Sequence, residues 1–220
     1  MKFAIGNQEN FMIKKKKDIR ELLSERILVL DGAMGTMLQA QGLSESDFNS
    51  GIFADHPIPL KGDNDVLCIT RPDAVKAVHK AYLDAGADII ETNTFNSNSV
   101  SQADYGLQDR VYDLAKAGAK IAREAADEAE ARTPDKPRFV AGSMGPTGRT
   151  ASMSPSVEDP ASRNVTFDEL AETYQIQAEG LIDGGADILL VETVFDALTQ
   201  RRQSTGSQRQ WKRGIAGSRS

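Results

Sequence analysis

Two hydrophobic periods alternate along this chain. Short apolar runs of strand length, Ile27-Leu28-Val29-Leu30, Asp88–Glu91, Arg138–Ala141 and Ala186–Val191, are bounded by Gly, Pro or charged residues. Between them apolar residues recur three and four positions apart, which predicts helices. Asp18–Glu25 gathers Ile19, Leu22 and Leu23 on one face, as a lid at the bottom of a barrel would. A helix over Arg71–Ala85 is opened by a Thr70/Asp73 capping box with Pro72 in its first turn, and closed by Gly86. A longer helix over Leu107–Ala131 sets Val111, Leu114, Ala115, Ala119, Ile121 and Ala122 on one side and ends before Pro134 and Pro137. The last begins at a Thr166/Glu169 capping box and runs to Asp183. Residues 39–65 and 149–165 hold no sustained period, so both are expected as long loops on the functional face.

The resulting order, βαβαβαβ with connections long enough for crossovers, predicts an α/β fold with a parallel sheet. Asp84-Ala85-Gly86-Ala87-Asp88-Ile89 is echoed by Asp183-Gly184-Gly185-Ala186-Asp187-Ile188. That repeated helix end, glycine turn and strand start favours a (βα)8 TIM barrel over a doubly wound sheet, with about the first four βα units in this chain. No G-x-G-x-x-G follows the first strand either.

Three of the apolar runs end in a carboxylate: Asp31-Gly32, Glu91-Thr92 and Glu192-Thr193. A charge placed directly after a buried strand is costly without partners, and parallel sheets carry their chemistry at strand carboxyl ends. Asp31 could hold an ammonium group while Gly32 and Ala33 offer backbone N–H groups to a carboxylate; equally, Asp31 could cap its own turn. Glu91-Thr92-Asn93-Thr94-Phe95 adds hydroxyl and amide donors around the second acid, or forms a solvated loop and N-cap. Three acids at one mouth suit either a small zwitterion such as an amino acid or a divalent metal. The stretch Gly142–Gly148, containing Ser143, lacks the Lys-Ser/Thr ending of a P-loop and reads as a turn at a strand end. Cys68, among Val66, Leu67 and Ile69, reads as a small buried hydrophobe; His79 as surface or packing; His56 as loop.

Charge narrows the partners. The chain of 220 residues has a net charge of −6, but six of its 26 basic residues fall in 199–220 with no acid, leaving 20 basic against 32 acidic groups before them. Such a body repels nucleic acid and membranes. No apolar stretch reaches membrane-spanning length, residues 1–17 read as a flexible leader, and a single cysteine fits a cytoplasmic location.

Taken together, Arg26–Gln39, Ala87–Ser97, Ala141–Thr150 and Asp187–Asp196 resemble the homocysteine-binding module that opens cobalamin-dependent methionine synthase. Betaine- and S-methylmethionine-dependent homocysteine methyltransferases share the first and fourth segments but are less similar over 98–168. The resemblance implies a homocysteine S-methyltransferase of (βα)8 fold that forms methionine. It implies that Asp31, Gly32, Ala33, Glu91, Thr92, Asn93, Ser143 and Glu192 bind substrate. In that arrangement the amino group lies against Asp31 and Glu192, and the carboxylate near the Gly32–Ala33 backbone and Thr92. It also implies zinc to activate the thiol, and partner modules carrying cobalamin and methyltetrahydrofolate. The family holds its zinc on three cysteines; none of them is matched here, so no metal ligand and no catalytic residue is assigned.

By the same resemblance, residues 18–198 are the N-terminal half of the barrel. Thr199–Ser220 turns abruptly polar and basic without periodicity, and permitted codons in another reading frame spell an amphipathic helix there. A frameshift origin and a disordered tail are therefore expected, and the chain is read as an inactive fragment. Two other readings stay open: an amino-acid-binding half-barrel without catalysis, and a Mg²⁺-dependent (βα)8 enzyme using the three acids.

Overall fold

The structure is a computed structural model that describes residues 18–149, 154, 157–159 and 162–194. The expected leader (1–17), the tail (199–220) and about half of the 149–165 stretch lie outside the described residues.

Helices and strands follow in the order α1 (Ile19–Glu25), α2 (Met34–Gln39), α3 (Glu45–Phe48), α4 (Leu67–Thr70), α5 (Pro72–Ala85), β1 (Ile89–Glu91), α6 (Ser99–Gln102), α7 (Val111–Arg132), β2 (Phe139–Met144), α8 (Phe167–Asp183) and β3 (Ile188–Val191). The strands form one parallel sheet in chain order, β1-β2-β3, with Ile90 opposite Val140 and Gly142 opposite Leu189. Adjacent parallel strands joined by helical crossovers are the repeating unit of a (βα)8 barrel. Central β2 is buried at all six positions, which is why its sequence is apolar or small throughout. Helix α7 packs against both α5 and α8, burying Ala115, Ala119, Ala122, Ala125 and Ala126 completely. This row of alanines lets the helices and sheet approach closely.

The sequence echo has a physical cause. Gly86 (φ 110°) and Gly185 (φ 98°) both take the left-handed turn that ends a helix, a conformation that strains residues with a side chain. In each copy the next N–H returns to the helix, Ala87 to Tyr82 O and Ala186 to Leu181 O, both at 3.0 Å. In each the following aspartate bonds the preceding strand segment: Asp88 Oδ2 accepts Val29 N–H at 2.9 Å, and Asp187 Oδ2 accepts Val140 N–H at 2.8 Å. An arginine neutralises each acid, Arg26 on Asp88 (2.7 Å) and Arg123 on Asp187 (2.8 Å). The Arg26 hydrogen bond chiefly holds the Asp88 carboxyl down to about 2, against its burial. The motif is a strand-spacing clamp at the sheet end opposite the acids described below.

Several expectations are corrected. The run Ile27–Leu30 is not a buried strand: it contributes one parallel bridge, Leu30 to Ile89, and leaves Ile27 87%, Val29 55% and Leu30 42% exposed. It lies at the sheet edge, where pairing exists on one side only among the described residues. Strand β2 continues to Met144, so Gly142 and Ser143 are strand rather than loop. Helix α7 starts at Val111, after short 3₁₀ turns, rather than at Leu107. The Thr70/Asp73 capping box does not form. Thr70 Oγ1 turns back to Val66 O, and Arg71 takes the Asp73 carboxylate. The Thr166/Glu169 box forms reciprocally, as expected. Residues 39–65 are not a plain loop either: short helical turns there bury Phe48, Phe53 and Leu60 in a core with Val66, Leu67 and Val75.

Candidate functional site

Carboxyl ends of neighbouring parallel strands lie side by side, so whatever follows each strand faces the same space. Here that space is a cavity of about 450 Å³, lined by Gly32–Gly35, Glu91–Asn93, Phe95, Asn96, Ser143, Glu192, Asn64 and Asp65. It holds seven of the eight residues expected to bind substrate: Gly32, Ala33, Glu91, Thr92, Asn93, Ser143 and Glu192. Asp31 is not part of the lining. Both its carboxylate oxygens accept the Glu91 N–H, at 3.0 and 3.1 Å, so it stands behind Glu91 and fixes the end of β1.

Internal bonds set each group. Thr92 Oγ1 accepts the Ser143 N–H at 2.9 Å and pairs with Thr94 Oγ1 at 2.6 Å, while Thr94 Oγ1 donates to Ser143 O at 2.8 Å. These bonds continue the β1–β2 pairing beyond the ladder. The Ser143 hydroxyl donates to Glu192 Oε1, holding that carboxylate at the rim. Asn93 is anchored through Nδ2 to Asn64 O at 2.7 Å. Thr193, directly after Glu192, has φ 54°, a left-handed conformation rare for a β-branched residue and typical of strand ends that position a site.

The electrostatics are one-sided. Among the described residues no Lys, Arg or His lines the cavity. Burial, followed by the charge of Glu192, pushes the Glu91 carboxyl up to about 7. Burial, reinforced by Glu91 and Glu192 and opposed by the Glu91 N–H, raises Asp31 to about 7 as well. These acids resist ionising together, and a cation between them would relieve the conflict. The linkage has a definite sign. With folded values above the unfolded ones, both groups stabilise the protonated fold and lose that contribution as pH rises from about 4 through 7. Glu91→Gln should therefore raise the melting temperature at pH 8 by roughly 2–4 °C, the shift of about 1 kcal/mol in a domain this size. At pH 4.5 it should change it little. Thermal scans at both pH values check this.

The same residues bear on metal chemistry. The chain has one cysteine, and Cys68 Sγ is buried beside the cavity wall, donating to Asn93 O at 3.2 Å. Burial above all, then the charge of Asp65, pushes this thiol well above the usual range, against metal binding as a thiolate. His79 is fully buried on α5 with neither ring nitrogen partnered, and burial lowers it to about 4; it packs as the neutral form. His56 bonds Tyr105 O at 2.7 Å, away from the cavity. Among the described residues no three His, Cys, Asp or Glu are arranged to hold an ion. The residues present do not fit a thiolate-held zinc.

Sequence reasoning did not assign Met34, Gly35, Phe95 or Asn96 of the lining to substrate, although they adjoin expected residues, and it missed the segment of Asn64 and Asp65 altogether. The signal was present in Asp63-Asn64-Asp65, a polar cluster running straight into the apolar Val66-Leu67.

Residues 28–203 match the family model for homocysteine S-methyltransferase. In structure the chain is similar to the homocysteine methyltransferase MmuM from Escherichia coli. Against the metallated form the TM-score is 0.65 at 24% identity, covering 88% of this chain and 63% of that one. The oxidised form gives 0.65 at 24% identity, covering 86% and 61%, and the apo form 0.60 at 24%, covering 86% and 58%. At this identity the likeness establishes the barrel-type fold, and the chain spans less than two-thirds of those structures' length. The family match runs over most of the chain and includes every residue expected to bind substrate, so this chain belongs to the homocysteine S-methyltransferase family.

Proposed function

We propose that the chain binds homocysteine as the acceptor half of a methyl transfer to sulfur, and that it derives from a methionine synthase of the cobalamin-dependent type. The observation that carries the first part is the convergence of Glu91 and Glu192, backed by Asp31, on a cavity that no basic residue lines among the described residues. An α-ammonium group supplies the missing cation. The backbone at Gly32–Ala33 borders the same cavity and suits the α-carboxylate, which leaves the thiol directed away from the acids. Asp31, Gly32, Ala33, Glu91, Thr92, Asn93, Ser143 and Glu192 are assigned to the substrate on this basis, Asp31 acting through Glu91.

What these residues do is bind and orient. The acids fix the amino group, Ser143 holds Glu192 in place, and the Thr92–Thr94–Ser143 bonds keep the strand ends in register. The acids of the lining are assigned to the amino group, and among the described residues none fit zinc. Thiol activation is therefore assigned to groups outside this set. Residues 18–198 are proposed as one part of a barrel, cytoplasmic, working with modules that carry cobalamin and methyltetrahydrofolate. The choice of donor rests on the resemblance over 141–150 and on the weaker resemblance of residues 98–168 to the betaine- and S-methylmethionine-dependent enzymes.

Calorimetric titration of the chain with homocysteine, with and without zinc, tests the reading. Binding of equal strength in both conditions is expected. Tight binding that requires zinc would show a metal site on this chain and overturn the assignment.

A further inference from the structure

The stretch 63–68 belongs to no strand end, yet it grips the cavity wall from behind. Val66 and Leu67 are fully buried and fix the short 3₁₀ turn Asn64–Val66 against the core. From this anchor Asn64, Asp65 and Cys68 all reach a single loop, residues 92–98. Asn64 O accepts Asn93 Nδ2 at 2.7 Å, and Cys68 Sγ donates to Asn93 O at 3.2 Å. Asp65 Oδ2 accepts two bonds, from Asn96 N–H at 3.0 Å and Ser97 Oγ at 2.7 Å. That loop carries Asn93, Phe95 and Asn96 into the cavity lining. Beneath it Asp63 is 1% exposed; its Oδ1 accepts Asp65 N–H and Gln102 Nε2, each at 3.2 Å, and Gln102 Nε2 also reaches Asn96 O at 3.3 Å. The N–H and the carbonyl of Asn96 are thus both held by one buried polar network. On its other side the loop is tied to β2 and the residue after it, through Thr94 Oγ1 on Ser143 O at 2.8 Å and Gly145 N–H on Phe95 O at 3.2 Å.

We propose that Asp65 is a positioning residue for the amino-acid cavity: by accepting from Asn96 N–H and Ser97 Oγ it sets the loop that carries Asn93, Phe95 and Asn96. The role needs an acceptor oxygen and no charge: Asp65 is 2% exposed, and its own N–H bonds the neighbouring Asp63 carboxylate. Burial, then the Asp63 charge, raises this carboxyl well above the usual range, which makes a neutral amide a close stand-in. Asp65→Asn keeps an oxygen able to accept both bonds; Asp65→Ala removes both and leaves the Asn96 N–H unpaired. The ligand arm of the test rests on the homocysteine reading, while the exchange arm does not.

The experiment measures amide hydrogen exchange at Asn96 and Ser97 in the full chain, alongside calorimetric titration with homocysteine. Asp65→Ala should speed Asn96 exchange at least tenfold relative to the amides of β2 and weaken homocysteine at least tenfold. Asp65→Asn should stay within threefold of the parent on both. Unchanged Asn96 exchange in Asp65→Ala would overturn the proposal. So would an Asp65→Asn variant that loses homocysteine as fully as Asp65→Ala with Asn96 still protected, because Asp65 would then act on the ligand through its charge. If the parent chain does not bind homocysteine, the ligand reading falls and the exchange arm alone decides the positioning role. If Asp65→Ala does not fold, Ser97→Ala removes one of the two bonds: about threefold faster exchange at Ser97 and Asn96 supports the role, and no change overturns it.

Discussion

Glu192→Gln should weaken homocysteine binding by about tenfold to a hundredfold while leaving the melting temperature equal or higher. Glu192 is the acid that Ser143 fixes at the cavity rim, and its charge is one of the causes raising Glu91. Its amide analogue keeps the shape and can still accept from Ser143, but no longer supplies a full charge to an ammonium group. A hydrogen bond to a charged partner contributes about 1.5–3 kcal/mol, which is the range of affinity expected to be lost. Relief of the Glu91–Glu192 repulsion works in the opposite direction on the fold, so binding and stability should separate in this variant. Calorimetry paired with a thermal scan reads both. A Glu192→Gln affinity within threefold of the parent would remove Glu192 from the ammonium site.

Gly180→Val should destabilise the fold by at least about 3 kcal/mol, the upper part of the range for overpacking a close contact. Gly180 lies where α8 crosses α7. A Cβ there would sit 2.6 Å from Tyr112 O and 2.9 Å from the Ala115 Cβ, and neither a backbone carbonyl nor a buried alanine can swing away. One turn on, at Gly184, the added atom would meet Lys116 O at 2.5 Å and the Ala119 Cβ at 2.6 Å. The two helices therefore touch backbone to backbone along a face of small residues, and their separation determines where α8 delivers β3 and Glu192. Against a total stability of about 5–15 kcal/mol, such a loss is large. Urea denaturation checks it. A Gly180→Val midpoint close to the parent's would mean the α7–α8 contact is looser than described.

Much of this was legible from residue pattern. Helices α5 and α8 are long, periodic and bounded by turn-specific residues, and their ends fall where Gly86 and Asp183 place them. The acids at the strand ends were legible because a charge after an apolar run demands partners, and Glu91 and Glu192 do share one cavity. Asp31 shows the limit of that reasoning: the same pattern there serves a backbone N–H instead. Residues 39–65 were opaque for a different reason. Turns of three or four residues are too short to display a period, so the buried Phe48, Phe53 and Leu60 read as scattered hydrophobes in a loop. Asn64 and Asp65 were lost with them. At Thr70/Asp73 the box was preempted by Arg71, whose guanidinium binds both Asp73 and Asp47, a contact across 24 residues that no local pattern encodes. The run Ile27–Leu30 has strand composition whether or not a neighbour covers it, and composition does not say which side is paired.

The central claim is that the acid-tipped strand ends recognise the amino group of homocysteine with residues of this chain alone. Its most direct test compares homocysteine with its des-amino analogue, 4-sulfanylbutanoate, by calorimetry at pH 7.5 in the presence of a chelator. The account predicts that homocysteine binds and that removal of the amino group weakens binding at least tenfold. Equal affinities for the two thiols, or binding of neither until zinc is supplied, would contradict it.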